Sequence, residues 1–328
     1  MNPLKTELDA LRHAAVLFTH LPRRILSVRG KDRVSFLHNL VSHDIKGLRH
    51  GQGEPACLLD RQGKIVCAFL VHLCEEEILL ETSPDQFPSL QEGLKKYLVS
   101  ESVEISEAAG EISVICLHGP RALDRLRKIW PGSVWPEKEL AHTPGPGQSG
   151  ITRTVRWDLF RVPGYCLWTQ PVDRQRLLKM FQTGPSPILT AGPETFETAR
   201  IEAGVPWPGR ELTSGVILNE LGDEKWMSFT KGCYVGQEIV ARIKYRAHPP
   251  RLLKGFRLSG TTPPSTPSEI LSDSKPAGLL TSACWSPTAD SVIGLGFLNH
   301  GAPEDGLSVK ENGRLMEAVV CNLPIVNA

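Results

Sequence analysis

No stretch of this 328-residue chain approaches the ~20 consecutive apolar residues that cross a bilayer as a helix. Cysteine pairs at CxxC spacing are also missing: the eight cysteines, at 57, 67, 74, 116, 166, 233, 284 and 321, are scattered, which argues against a zinc ribbon or a thioredoxin-type pair. A secretory leader is not evident, because Lys5, Glu7, Asp9 and Arg12 precede only a short apolar run, Ala14 to Phe18. Reduced thiols in a cytoplasmic protein, with no bound metal, are therefore the expectation. Charge of one sign is scarce overall. A formal net charge of +1 argues against a whole-surface membrane or nucleic-acid binder, although a local basic patch can hide in that balance. Gly145 to Gly150 satisfies the GxGxxG pattern literally, but no strand precedes it and prolines interrupt it, so a dinucleotide site is rejected.

What is present is 41% hydrophobic content, enough for two or three packed units. Periodicity predicts helices over 2–18, 32–40, 85–98, 121–130, 172–181 and 193–203. Strands are expected at 24–28, 54–59, 64–73, 78–82, 103–106, 112–117, 152–160 and 165–169. Asp60-Arg61-Gln62-Gly63 reads as a hairpin tip, and the Pro- and Gly-rich residues 131–150 as a surface loop. From Arg251 onward short strands at 252–258, 277–284, 292–298, 307–310 and 315–323 alternate with turns, which suggests a small antiparallel barrel and a boundary near residue 250. The fold class is α+β: two mixed subdomains over 1–250, then a barrel over 251–328.

Chemistry concentrates in Lys231-Gly232-Cys233-Tyr234-Val235-Gly236-Gln237-Glu238. The residues after it read as a helix, with Val235, Ile239, Val240 and Ile243 on one face, Arg242, Lys244 and Arg246 at its end, and Pro249-Pro250 as the stop. Cys233 would then lie just before a helix N-terminus with Lys231 nearby, and both favour thiolate. Gly232 and Gly236 would let backbone approach a ligand closely. The alternative is a small buried hydrophobe.

The octet, continued by Ile239-Val240-Ala241-Arg242, resembles the KGC[FY]xGQE block of the YgfZ family, folate-binding proteins related to the glycine-cleavage aminomethyltransferase and linked to iron-sulfur cluster maintenance. Weaker matches at 24–63, 96–120, 200–212 and 277–287 extend the resemblance over nearly the whole chain. It implies an aminomethyltransferase-like folate-binding fold, tetrahydrofolate as cofactor, iron-sulfur client enzymes (tRNA-modifying ones among them) or assembly factors as partners, and Cys233 with Lys231 as the reactive pair. A monomer that binds no nucleic acid directly is expected.

Arg200-Ile201-Glu202-Ala203-Gly204 and the following residues to Leu212 resemble the RIEAGxPxxGxEL segment that in the aminomethyltransferases reaches the pterin. A pterin presents an amino-pyrimidinone edge with adjacent donors, which the Glu202 carboxylate could accept from in a bidentate manner. The alternative is an ion pair of Glu202 with Arg200 or Arg210. Trp207 could stack on a flat ring or simply pack in its loop. Arg200, Trp207, Tyr234, Gly236, Gln237, Glu238 and Arg242 complete the expected binding set. Residues 231–257 hold seven cations and one acid, a candidate rim for the carboxylates of polyglutamylated folate, or for a protein or RNA partner of a non-catalytic scaffold. One departure bears on activity. Where aminomethyltransferases carry an aspartate pair after the hairpin glycine, this chain reads Gly63-Lys64-Ile65-Val66-Cys67-Ala68, so full aminomethyl transfer is doubtful.

Overall fold

The computed structural model describes residues 2–108, 112–184, 187–311 and 314–327. Helix α1 (Pro3–His13) starts where the Asn2 side chain accepts from the Leu4 amide at 3.1 Å, and it buries Leu4, Leu8 and Leu11 on one face. The chain then extends into β1 (Val16–Phe18), so the helix expected to run to Phe18 ends at His13. Three consecutive apolar side chains, all buried, suit a central strand better than a half-exposed helix end.

The first sheet is antiparallel, in the order β3-β4-β5-β2-β6, from β2 (Arg24–Arg29), β3 (Gly53–Leu59), β4 (Ile65–Leu73), β5 (Glu77–Thr82) and β6 (Glu104–Glu107). Helices α2 (Arg33–Leu40) and α3 (Phe87–Lys95) cover one face through Phe36, Leu37, Leu90 and Leu94. Between β3 and β4 the Asp60 carboxylate accepts from the amides of Gln62 at 2.8 Å and Lys64 at 3.0 Å, and Gly63 takes the left-handed conformation that closes the turn.

The second sheet runs β11-β1-β7-β10-β9-β8, built from β1, β7 (Ser113–His118), β8 (His142–Pro144), β9 (Ile151–Arg156), β10 (Gly164–Thr169) and β11 (Leu189–Ala191). Only β1 with β11 is parallel. Helices α4 (Ala122–Ile129) and α5 (Pro171–Thr183) pack on it. The expected loop over 131–150 thus contributes a three-residue edge strand. Cys116 and Cys166 stand directly opposite each other on β7 and β10, 4.1 Å apart at Cα, and are joined by a disulfide. This corrects the expectation that all thiols are reduced: cross-strand pairing brings together cysteines 50 residues apart, which a search for short spacings does not detect.

Helix α6 (Pro193–Glu202) and helix α7 (Gln237–Arg246) lead to a closed antiparallel barrel, β12-β15-β14-β13-β16-β17. Its strands are β12 (Arg251–Leu258), β13 (Ser268–Ser272), β14 (Lys275–Ser286), β15 (Ser291–Asn299), β16 (Leu307–Glu311) and β17 (Arg314–Cys321). Phe256, Leu280, Val292 and Val309 fill it. β13 was not expected, because five residues in a Ser- and Pro-rich stretch carry little periodic signal.

Two buried histidines make the fold acid-sensitive. His118 packs edge-on to Phe160 at 4.9 Å with neither ring nitrogen hydrogen-bonded, and burial pushes it down to about 3. His142 is also brought down to about 3, first by burial and then by His72 and Arg153. Both are neutral when folded. From pH 6.5 down to about 3 the unfolded chain therefore binds more protons, and stability is lost as pH falls through that window. His118→Phe should flatten this loss in urea midpoints measured at neutral pH and midway down the window. A loss equal to that of the wild type would contradict the assignment.

Candidate functional site

The segment after α6 is anchored from beneath. Arg200 is fully buried and donates to Glu197 at 2.7 Å, Ser282 at 2.6 Å and Glu211 at 3.2 Å. The equally buried Glu211 accepts from the Trp207 amide at 3.0 Å and from the hydroxyls of Thr281 and Ser282, each at 2.6 Å. The pair ties α6 and the loop 203–212 to the barrel strand β14. Glu202 points the same way. Its carboxylate is ion-paired with Arg12 of α1 and accepts from Ser286 at 2.5 Å, while its main-chain carbonyl receives the amides of Ile325 and Val326. It does not line the adjacent cleft, so the structure places both Arg200 and Glu202 in the scaffold behind the loop, where helical geometry aims them at the barrel.

The cleft itself, about 800 Å³, opens between the two sheets and the barrel. The loop Ala203–Pro208 borders it, opposite Ala68 to Leu70 of β4 and Glu81 of β5. Trp157 and Trp207 both line it and stack on each other at 6.2 Å and 18°, and the Arg23 guanidinium lies 4.9 Å from each ring. Arg23 is held below its ordinary pKa by burial, against the attraction of Glu81. In the stretch Gly63 to Ala68, where the resemblance implies an aspartate pair, Ala68 lines the cleft and Cys67 is buried against the helices, its thiol pushed up to about 12 by burial. A larger groove, about 1060 Å³, runs along Thr19 to Ile25 and Ile112 to Val114, and the two segments singled out above do not border it.

The octet lies outside the cleft and acts largely as a clamp. The Lys231 ammonium donates to the carbonyl of His38 and, at 2.6 Å, to that of Val41, satisfying the end of α2, with the Tyr234 ring 4.7 Å away. Burial draws Lys231 down to about 8. Gly236, at φ +83°, is the N-cap of α7, and a Cβ there would sit 2.5 Å from the Asp60 carbonyl. Ile239 and Val240 close on Gly63 from the other side. Tyr234 is buried in the core shared with the barrel, and the Gln237 side chain accepts from its amide at 3.3 Å. The close approach foreseen for Gly236 is thus to the β3–β4 hairpin, and the Lys231 charge is turned onto main-chain carbonyls. Cys233, three residues before the N-cap, is exposed, as are Glu238 and Arg242.

The basic run is also altered by folding. Lys244, Arg251 and Lys254 pair with Glu224, Glu220 and Glu304. Sequence reasoning missed Arg23, Glu81 and Trp157 on the cleft. It also missed His38, whose Nδ1 lies 3.2 Å from Asp44 and whose Nε2 borders Gly232 beside the exposed thiol. An acid inside the apolar strand Glu77–Thr82 was the one available signal for Glu81.

Two mixed α/β units and a closed barrel meeting around a cleft give this chain the architecture of the aminomethyltransferase fold. The GCVT N-terminal domain matches residues 1–231 and the glycine cleavage T-protein C-terminal barrel domain matches 251–327, so the chain belongs to this family. It is 28% identical to a chloroplastic Arabidopsis thaliana protein provisionally named a transferase, over 97% of this chain and 72% of that one. It is 26% identical to an aminomethyltransferase of Thermus thermophilus, over 97% and 88%. The crystal structure of the glycine cleavage system aminomethyltransferase T from Bartonella henselae superposes with a TM-score of 0.85 at 18% identity, covering 98% of this chain and 89% of that one. Among the described residues no helix is long and apolar enough to cross a membrane.

Two outcomes follow from these placements. Substoichiometric iodoacetamide should label Cys233 first, because Cys57, Cys67, Cys74, Cys284 and Cys321 are all pushed up by burial while Cys233 is exposed. Peptide mass spectrometry finding another cysteine labelled earlier would contradict this. Glu202→Ala, by taking the carboxylate acceptor from Arg12 and Ser286, should cost about 3 kcal/mol in urea unfolding, and an unchanged midpoint would return Glu202 to the ligand set.

Proposed function

We propose that the chain binds tetrahydrofolate in the cleft and supports iron-sulfur enzymes through the exposed Cys233, rather than turning over an aminomethyl donor. The observation that carries this is in Gly63 to Ala68, where the resemblance implies an aspartate pair: the stretch holds no acid and its cleft-lining residue, Ala68, presents a methyl group, so the developing charge of a transferring one-carbon unit meets no carboxylate there. The cleft suits the ligand in kind. Its volume lies in the range that encloses small organic ligands, and the Trp157–Trp207 wall offers aromatic faces to a flat heterocycle. The iron-sulfur role rests on the resemblance of the octet 231–238, whose clamp leaves the Cys233 thiol presented to solvent.

A second reading, a folate-dependent one-carbon transferase using another acid, is favoured by the names of the aminomethyltransferase relatives. Titration with tetrahydrofolate and assay with an aminomethyl donor separate the two. Binding with quenched tryptophan fluorescence and no turnover is expected. Trp207→Ala should weaken binding by the ~1–3 kcal/mol that aromatic stacking on a base supplies. Steady turnover would favour the transferase, and absence of binding would remove folate from the account.

A further inference from the structure

We propose that Glu81 and Arg23, at the floor of the cleft, form the subsite that reads the heterocycle edge of the ligand. The Glu81 carboxylate would accept from an adjacent ring N–H and amino group, and the Arg23 guanidinium would donate to the neighbouring carbonyl. This deepens the tetrahydrofolate reading and rests on it.

Glu81 is the cross-strand partner of Leu70, so its side chain emerges on the same sheet face as Leu70 and Ala68, one strand over. It is 2% exposed; Oε2 lies 3.2 Å from His72 Nε2, and Oε1 is ion-paired with Arg23 without accepting a hydrogen bond. Arg23 Nε stands 3.3 Å from that Oε1 and donates no hydrogen bond. The pair is joined by charge alone, and the hydrogen-bonding positions of Oε1 and Nε stay open in a buried setting, which is costly unless something fills both. An amino-pyrimidinone edge does so, since it presents donors next to an acceptor. The other acids on the cleft are differently placed. Asp158 accepts from Arg156 and from the Gly164 amide at 3.1 Å each, Asp223 is paired with Lys225 at 3.0 Å, Glu54 is half-buried and lies 3.9 Å from His43, and Glu139 is exposed. Trp157 and Trp207, 4.9 Å over the guanidinium, would hold the ring plane against this edge.

The test is calorimetric titration, under anaerobic conditions, of the full chain with tetrahydrofolate and with its 2-desamino-2-methyl analogue, which lacks the amino group, one of the two donors that Glu81 would receive. The wild type should prefer the parent compound by about ten- to a hundred-fold, the span of a charge-assisted hydrogen bond. Glu81→Gln, with its fold checked by urea unfolding, should lose that preference, whereas Glu202→Gln should keep it. Equal affinities in the wild type, or a preference that survives in Glu81→Gln, would overturn the subsite and leave folate binding standing. Failure of the wild type to bind either compound would overturn both.

Discussion

The buried ion pair of Arg200 with Glu211 holds the three parts of this molecule in register. Neither side chain is exposed, and each is completed by further partners on different elements: Glu197 on the helix, Ser282 and Thr281 on the barrel, and the Trp207 amide in the loop. A buried pair satisfied on this scale is tolerated where removing one partner costs about 3–5 kcal/mol. Its consequence is positional. With the loop 203–212 fixed from behind, Trp207 is set against Trp157 and Phe196, and a cleft wall results from an electrostatic contact on the far side of the loop.

The octet follows a similar logic on the opposite surface. Lys231 closes the end of α2, Gly236 admits the Asp60 carbonyl, and Tyr234 enters the core, so its unusual composition is largely demanded by packing against the β3–β4 hairpin. The side chain that packing does not claim is the thiol. The exposed thiol on this clamped turn and the cleft lined by Ala68 are thus separate places in one fold.

Much of the fold was legible because strands and helices longer than about six residues carry full periods of apolar residues. The short strands β1, β8, β11 and β13 were not, being specified by their neighbours rather than by their own sequence. At the site, the octet and the loop after Arg200 were recognisable as blocks, but the direction of each side chain was not. Glu202 and Lys231, the charges that looked most functional, are engaged by Arg12 and by main-chain carbonyls. Arg23, Glu81 and Trp157 come from separate strands and loops and share no local pattern, so only the tertiary structure brings them together.

A crystal structure of the protein with tetrahydrofolate tests the central claim most directly, that the cleft and the thiol are distinct sites. The pterin should lie in the cleft against the Trp157–Trp207 wall, with Cys233 remaining exposed outside it. Density for the pterin at the octet surface, or in the groove along Thr19 to Ile25, would contradict the account.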